Sequence, residues 1–220
     1  DFFIYGQKEI EHLKNADPIL GALINEIGPI KRKVIPDLFT ALVNSIVGQQ
    51  ISSKAMDTVW GRFVKRFPTI TPTTLNNAPI KEIQQCGMSM RKANYIKEAA
   101  KTIIDGELAL NKLNTLSDEE VVKKLSSLDG VGVWTAEMIL IFSLQRPNIM
   151  SWGDLGIQRG LKMLYGYKEM DKRLFQKHKH NYSPYATVAS LHLWEVSKGE
   201  YSIKKDDTSK PEFDYQNKDN

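Results

Sequence analysis

Cysteine is all but missing from this chain. One thiol, Cys86, cannot build an intramolecular disulfide framework. Nor can it supply the several thiolates that hold an iron–sulfur cluster. Sitting just before Gly87 at an expected helix end, Cys86 reads as buried and inert. Long apolar runs are missing too. The longest, Met138 to Phe142, is far too short to span a bilayer, and no charged-then-apolar leader opens the chain. Gly-x-x-x-x-Gly-Lys and Gly-x-Gly-x-x-Gly loops are absent, so no nucleotide cofactor is indicated. There is no internal repeat and no alternating strand pattern. These absences lead to the expectation of a soluble, intracellular, all-α protein.

What is present is ordinary in bulk. The 220 residues can bury a proper core, and 41% apolar with 25% charged content is typical of a globular domain. A net charge of +4 leans toward an acidic partner, although so small a surplus also suits a solvated surface.

Helical periodicity dominates the order of the chain. Short helices are expected around Glu9–Leu13 and Ile19–Ile27, before Pro29 and Pro36 interrupt. Leu38, Leu42, Val43, Ile46 and Val47 mark a helix ending near Gly48, and Ser52 or Ser53 caps the next. Phe67 to Thr74 reads as a loop, with short helices starting at Thr74 or Asn77. Ser89 opens a further helix, and Ser117-Asp118-Glu119-Glu120 is a capping box. Pro147 is expected to stop the helix after Gly132, and Pro184 to introduce the last one. His178-Lys179-His180 has no third ligand motif and reads as an exposed basic loop, while His192 reads as a core histidine. From Tyr201 the polar, apolar-poor tail is expected to be disordered.

Two stretches carry chemistry. In Leu128-Asp129-Gly130-Val131-Gly132-Val133-Trp134-Thr135-Ala136, two helices meet at a tight glycine turn. Amides at the start of the second helix lack intrahelical partners, so they and the helix dipole suit a phosphate oxygen. The blander alternative is an ordinary αα-hairpin. The glycines are expected to supply positive φ and close approach. The second stretch, Ser151-Trp152-Gly153-Asp154-Leu155-Gly156-Ile157, puts one carboxylate at a helix start. A simple N-cap explains such an aspartate. The same geometry favours a charged carboxylate able to stabilise an oxocarbenium-like sugar or orient a water. No second acid is evident.

In order and spacing, these features resemble the helix-hairpin-helix DNA glycosylase superfamily, and within it the 3-methyladenine-DNA glycosylase II branch. The resemblance spans roughly residues 36 to 198. It rests on Leu38 through Ser52, the hairpin with Trp134, Trp152-Gly153-Asp154-Leu155-Gly156-Ile157, and Tyr185 through Trp194. The larger bacterial members carry an N-terminal β-rich domain, and a compact form without it is expected here.

The resemblance implies two helical lobes with an active-site cleft between them. Residues 37–146 would form the first, and 1–36 with 147–200 the second, leaving 201–220 as the tail. It implies Asp154 as the catalytic aspartate. Trp134, Met138, Trp152 and Trp194 would line the base pocket. Gln50, with Gln49, would wedge into the gap left by a flipped base. Gly130, Val131, Gly132 and Thr135 would hold the DNA backbone, and the carbonyls of Leu128 and Val131 a K+ or Na+ ion. Lyase-competent relatives carry a Lys where this chain has Trp134, so water rather than an amine is the expected nucleophile. The expected partner is double-stranded DNA with damaged purines, bound by a monomer that needs no cofactor and sits with the nucleoid. Kept beside this are a glycosylase/lyase and a non-catalytic DNA-binding module.

Overall fold

The structure, a computed structural model, describes residues 1–199. The disorder expected for 201–220 falls outside them. Among the described residues twelve α-helices run in order: α1 (Gln7–Ala16), α2 (Pro18–Ile27), α3 (Leu38–Gly48), α4 (Ser53–Arg66), α5 (Pro72–Asn77), α6 (Ile80–Gln84), α7 (Met90–Ile104), α8 (Asp118–Leu125), α9 (Val133–Phe142), α10 (Leu155–Tyr165), α11 (Lys172–Tyr182) and α12 (Ala186–Ser197). A 3₁₀ turn covers Leu110–Thr115. Among the described residues there is no strand, only an isolated bridge between Phe2 and Lys33.

Side-chain caps set most boundaries. Asp17, Asp37, Ser52, Ser89, Ser117, Asp154 and Asp171 each accept a hydrogen bond from an amide in the first turn of the helix they precede. Three expectations needed correction. Thr71 rather than Thr74 caps α5, because Pro72 at the first helical position starts the helix inside the expected loop. The helix after the hairpin ends at Phe142, well before Pro147: the Arg146 amide turns back to Leu140 O and Gln145 takes φ 51. The basic segment around His178 is helix α11, not a loop, and His178 itself is buried.

The helices sort into two packing groups. One joins α3, α4, α7, α8 and α9, with α5 and α6 against α7; the other joins α1, α2, α10, α11 and α12. Helices α10 and α12 cross closely, and a Cβ on Gly160 would stand 2.3 Å from Leu193 O. Chain segments tie the groups together: the Ile35 amide donates to Phe142 O at 2.8 Å, and Ile4 to Gln145 Oε1 at 3.0 Å. Asp154 lies on the connection between α9 and α10, where one group hands over to the other.

Candidate active site

Asp154 is the N-cap of α10, and its carboxylate is bonded from both groups of helices. Oδ1 accepts the Ile157 amide at 2.9 Å and the Trp194 indole Nε1–H at 2.9 Å. Oδ2 accepts the Trp134 indole Nε1–H at 2.8 Å. Trp134 comes from the first turn of α9 and Trp194 from α12. A carboxylate oxygen accepts about two hydrogen bonds. Oδ1 is therefore filled, and Oδ2 keeps an acceptor position. Asp154 is only 7% exposed, whereas Trp134 is 39% and the following Leu155 74% exposed. A nearly buried anion thus has a solvent-facing aromatic beside it.

Gly156 makes the double grip geometrically possible. A Cβ there would lie 2.9 Å from Trp194 Cδ1 and 3.1 Å from Asp154 Oδ1. Trp194 is otherwise engaged: Phe142 stacks on it at 5.6 Å between centroids, and the Arg32 guanidinium lies 5.9 Å from the ring centre. Arg32 is paired in turn with Glu195 at 3.1 Å. Of the other expected pocket residues, Met138 is buried one turn beyond Trp134, and Trp152 is half-buried with its ring edge-on to Phe175 at 5.2 Å. The structure therefore brings Asp154, Trp134 and Trp194 together at bonding distance and holds Trp152 in packing against α11.

A second acid stands close by, against expectation. Glu137, on α9, accepts the hydroxyl hydrogen of buried Ser151. Burial pushes the Glu137 carboxyl above its ordinary range, with the Ser151 bond and Lys179 opposing and Asp154 adding to the rise. Sequence spacing placed Glu137 three residues after Trp134, but nothing local to α9 pointed to a loop residue as its partner.

At the hairpin, Gly130 takes φ 78 and Val131 N–H closes the turn onto Leu128 O at 3.1 Å. A Cβ on Gly130 would sit 2.1 Å from the Tyr95 ring, so close approach as well as φ demands glycine. Gly132 differs from expectation: its φ is −89, and nothing lies within 4 Å of a Cβ built there. Its open side faces outward, so packing does not require glycine at that position. The amides of Val133, Trp134 and Thr135 precede the first intrahelical bond of α9, Ala136 N to Gly132 O. The Thr135 side chain is buried and accepts Gln49 Nε2 at 3.3 Å, while the same nitrogen donates to Gly130 O at 2.8 Å.

Gln49 therefore braces the end of α3 against the hairpin. Gln50 is exposed, with φ 55. Lys92 supports this loop from below, donating to Val47 O at 2.8 Å and Gln49 O at 2.6 Å, and burial lowers its pKa. A cavity of about 510 Å³ opens beside Gln50, Arg91 and Tyr95. Among the described residues no three His, Cys, Asp or Glu side chains cluster as a metal site, and no helix is long and apolar enough to cross a membrane.

Residues 43–184 match the HhH-GPD superfamily of base excision DNA repair proteins. The chain belongs to this superfamily. Among relatives, DNA-3-methyladenine glycosylase 1 of Schizosaccharomyces pombe is 30% identical over 197 residues, covering 85% of this chain and 86% of that protein. The DNA-3-methyladenine glycosylase of Saccharomyces cerevisiae is 32% identical over 187 residues, 77% of this chain but only 63% of the yeast protein. A solved DNA-3-methyladenine glycosidase from Bacillus halodurans superposes with a TM-score of 0.79 at 35% identity, covering 91% of this chain and 95% of that one. The Schizosaccharomyces pombe 3-methyladenine DNA glycosylase in complex with abasic DNA gives 0.77 at 29% identity, with 87% and 97% covered.

Proposed function

We propose that the protein is a monofunctional DNA glycosylase that removes alkylated purines, of the 3-methyladenine and 7-methylguanine type, from double-stranded DNA. One observation carries this reading: Asp154, held between two indole N–H groups, stands beside the half-exposed Trp134 where lyase-competent relatives have an amine. The names of the relatives fit the same substrate class.

A purine alkylated on the ring carries positive charge, which the face of Trp134 attracts. As the N-glycosidic bond breaks, its electron pair passes to the purine, which leaves neutral. The positive charge moves to the sugar, where the Asp154 carboxylate stabilises it. Water adds at the anomeric carbon and releases a proton to solvent, giving the abasic sugar. Oδ2, with its remaining acceptor position, is the atom that orients this water. Such a leaving group needs no strong general acid.

The free amides at the start of α9 hold a DNA phosphate, and exposed Gln50 fills the space left by the extruded nucleotide. A monovalent cation at the hairpin would be held by the carbonyls of Leu128 and Val131. Oxygen donors suit such an ion, and Leu128 O keeps one lone pair beside its bond to Val131 N–H. The ion would supply partial neutralisation of the phosphate. The protein acts as a monomer wherever chromosomal DNA lies.

The deciding assay uses duplex DNA carrying one 7-methylguanine, with chromatography of the released base and parallel borohydride trapping. Free base without a trapped adduct is expected. A trapped covalent adduct would make it a lyase, and tight binding without release would make it a binding module.

A further inference from the structure

Glu137 is absorbed by no part of this chemistry, yet its contacts are specific. It lies one helical turn beyond Trp134 on α9, so both side chains project from the same face. Trp134 grips Asp154; Glu137 accepts the hydroxyl of Ser151. Ser151 is 0% exposed, and its carbonyl accepts the Asp154 amide at 3.3 Å. Two residues three apart on the helix thus hold two residues three apart on the loop. The rest of that loop is fixed from the other group of helices: Trp152 O accepts Gln158 Nε2 at 2.6 Å, and the Ile149 amide donates to Thr187 Oγ1 at 2.8 Å.

We propose that Glu137 is a positioning residue for Asp154, fixing through the Ser151 hydroxyl the loop that delivers the carboxylate to the cleft. The proposal rests on the glycosylase reading above for its rate consequences, though not for its geometry. Without the anchor, Trp134 is the one α9 side chain that hydrogen-bonds the 151–154 segment among the described residues, since the backbone bonds from α9 reach only as far as Arg146. A displacement of an ångström at the reacting centre costs up to roughly a hundredfold in rate.

The charged groups around Glu137 give the anchor a pH dependence. Lys179 on α11 opposes the rise in the Glu137 pKa and Asp154 on the loop adds to it, while Ser151 bonds Glu137 directly. At low pH Glu137 is neutral and its bond to Ser151 is an ordinary one. Because burial lifts its titration above the usual range for glutamate, the change to a charged acceptor falls at a higher pH. The Ser151 bond then becomes charge-assisted and shorter, and the loop is held more firmly.

The test is single-turnover release of 7-methylguanine from duplex DNA, from about pH 5 to about pH 9, with tryptophan emission recorded over the same range. The wild type is expected to gain rate along a limb above the ordinary glutamate range, with a matching step in emission from the indoles on Asp154. Glu137→Gln should remove both the limb and the step while keeping the circular dichroism spectrum. Glu137→Ala and Ser151→Ala should each lower the rate by roughly tenfold or more. A Glu137→Gln profile superimposable on the wild type, with Ser151→Ala at full rate, overturns the proposal. If the wild type itself releases no base, the glycosylase reading fails. The emission step then decides the positioning role alone: lost in Glu137→Gln, the role stands; kept, it falls.

Discussion

Two aspartates in this protein do the same local job with opposite consequences. Asp17 caps α2 through the amides of Ile19 and Leu20, both at 3.0 Å, and its Oδ2 accepts Tyr165 OH at 2.6 Å. Asp154 caps α10 and takes two indoles. Tyr165 is the last residue of α10, so one helix joins the two sites end to end. Around Asp17 the network runs inward: Tyr165 to Tyr182 at 2.6 Å, Tyr182 to His178 Nδ1 at 3.1 Å, His178 Nε2 to Tyr167 OH at 3.2 Å. Burial raises both Tyr165 and Tyr182, so these hydroxyls stay protonated donors. Around Asp154 the network ends at an indole facing solvent. Capping and aromatic donors are common to both. The accessible aromatic at the far oxygen is what sets the proposed site apart.

Removing one aromatic donor from each aspartate should separate the roles most widely. Trp134→Phe deletes a hydrogen bond to a carboxylate, worth about 1.5–3 kcal/mol of stability, and should lower Tm as well as single-turnover excision per folded molecule, the latter by roughly ten- to a hundredfold. Tyr165→Phe deletes the bond to Asp17 and should lose a comparable amount, about 1.5–3 kcal/mol, in denaturant titrations, while excision per folded molecule is unchanged. Equal effects on rate from the two variants would erase the distinction.

The hairpin glycines sharpen the same contrast between packing and access. Gly130→Val forces a β-branched residue to φ 78 against Tyr95, at a cost of about 1–3 kcal/mol, and should lower Tm. Gly132→Val has room and an ordinary φ, so it should fold normally. Its side chain would instead obstruct the phosphate, weakening damaged and undamaged duplex alike in equilibrium binding. Normal binding by folded Gly132→Val would make the hairpin a packed corner only.

Much of this was legible in the sequence because it is local. Ser117 with Glu120, Ser89 and Asp154 announce helix starts through side chains that bond their own next turn. The hairpin shows itself as glycines between apolar helices. What was not legible depends on partners far along the chain. That Trp194 turns its N–H group onto Asp154 follows from the crossing of α10 and α12, and so does the need for Gly156, while the Trp134 bond depends on how α9 meets the start of α10. The pairing of Glu137 with Ser151 has no signal at either residue. Helix α11 was obscured because polar residues outnumber its buried Phe175, His178 and Tyr182, although these recur at helical spacing. Gly132 looked like a conformational glycine only because Gly130 is one.

The smallest expected effect concerns pH and the sealed network. Burial lowers the His178 pKa, so the unfolded chain binds a proton that the folded one resists. Stability should therefore decline as pH falls through the ordinary histidine range toward the lower folded value, and stop declining beyond it. Burial lowers His192 in the same direction, so the two add. His178→Gln should flatten the dependence of Tm on pH without moving the pH profile of excision. A steeper dependence in that variant would contradict the assignment of the slope to His178.

The most direct measurement replaces each aspartate by asparagine and compares single-turnover release of 7-methylguanine. Asn caps a helix about as well as Asp, so both variants should keep the circular dichroism spectrum of the wild type, while Asp154→Asn leaves one indole N–H facing an amide nitrogen and should also lower Tm. Asp154→Asn removes the negative charge facing the sugar and should lower the rate constant by roughly 100- to 1,000-fold, with affinity for abasic duplex kept within a few-fold. Asp17→Asn should release base at the wild-type rate. If Asp154→Asn excises at full rate, or if the two variants lose activity equally, Asp154 is a helix cap like Asp17 and the assignment of the active site is wrong.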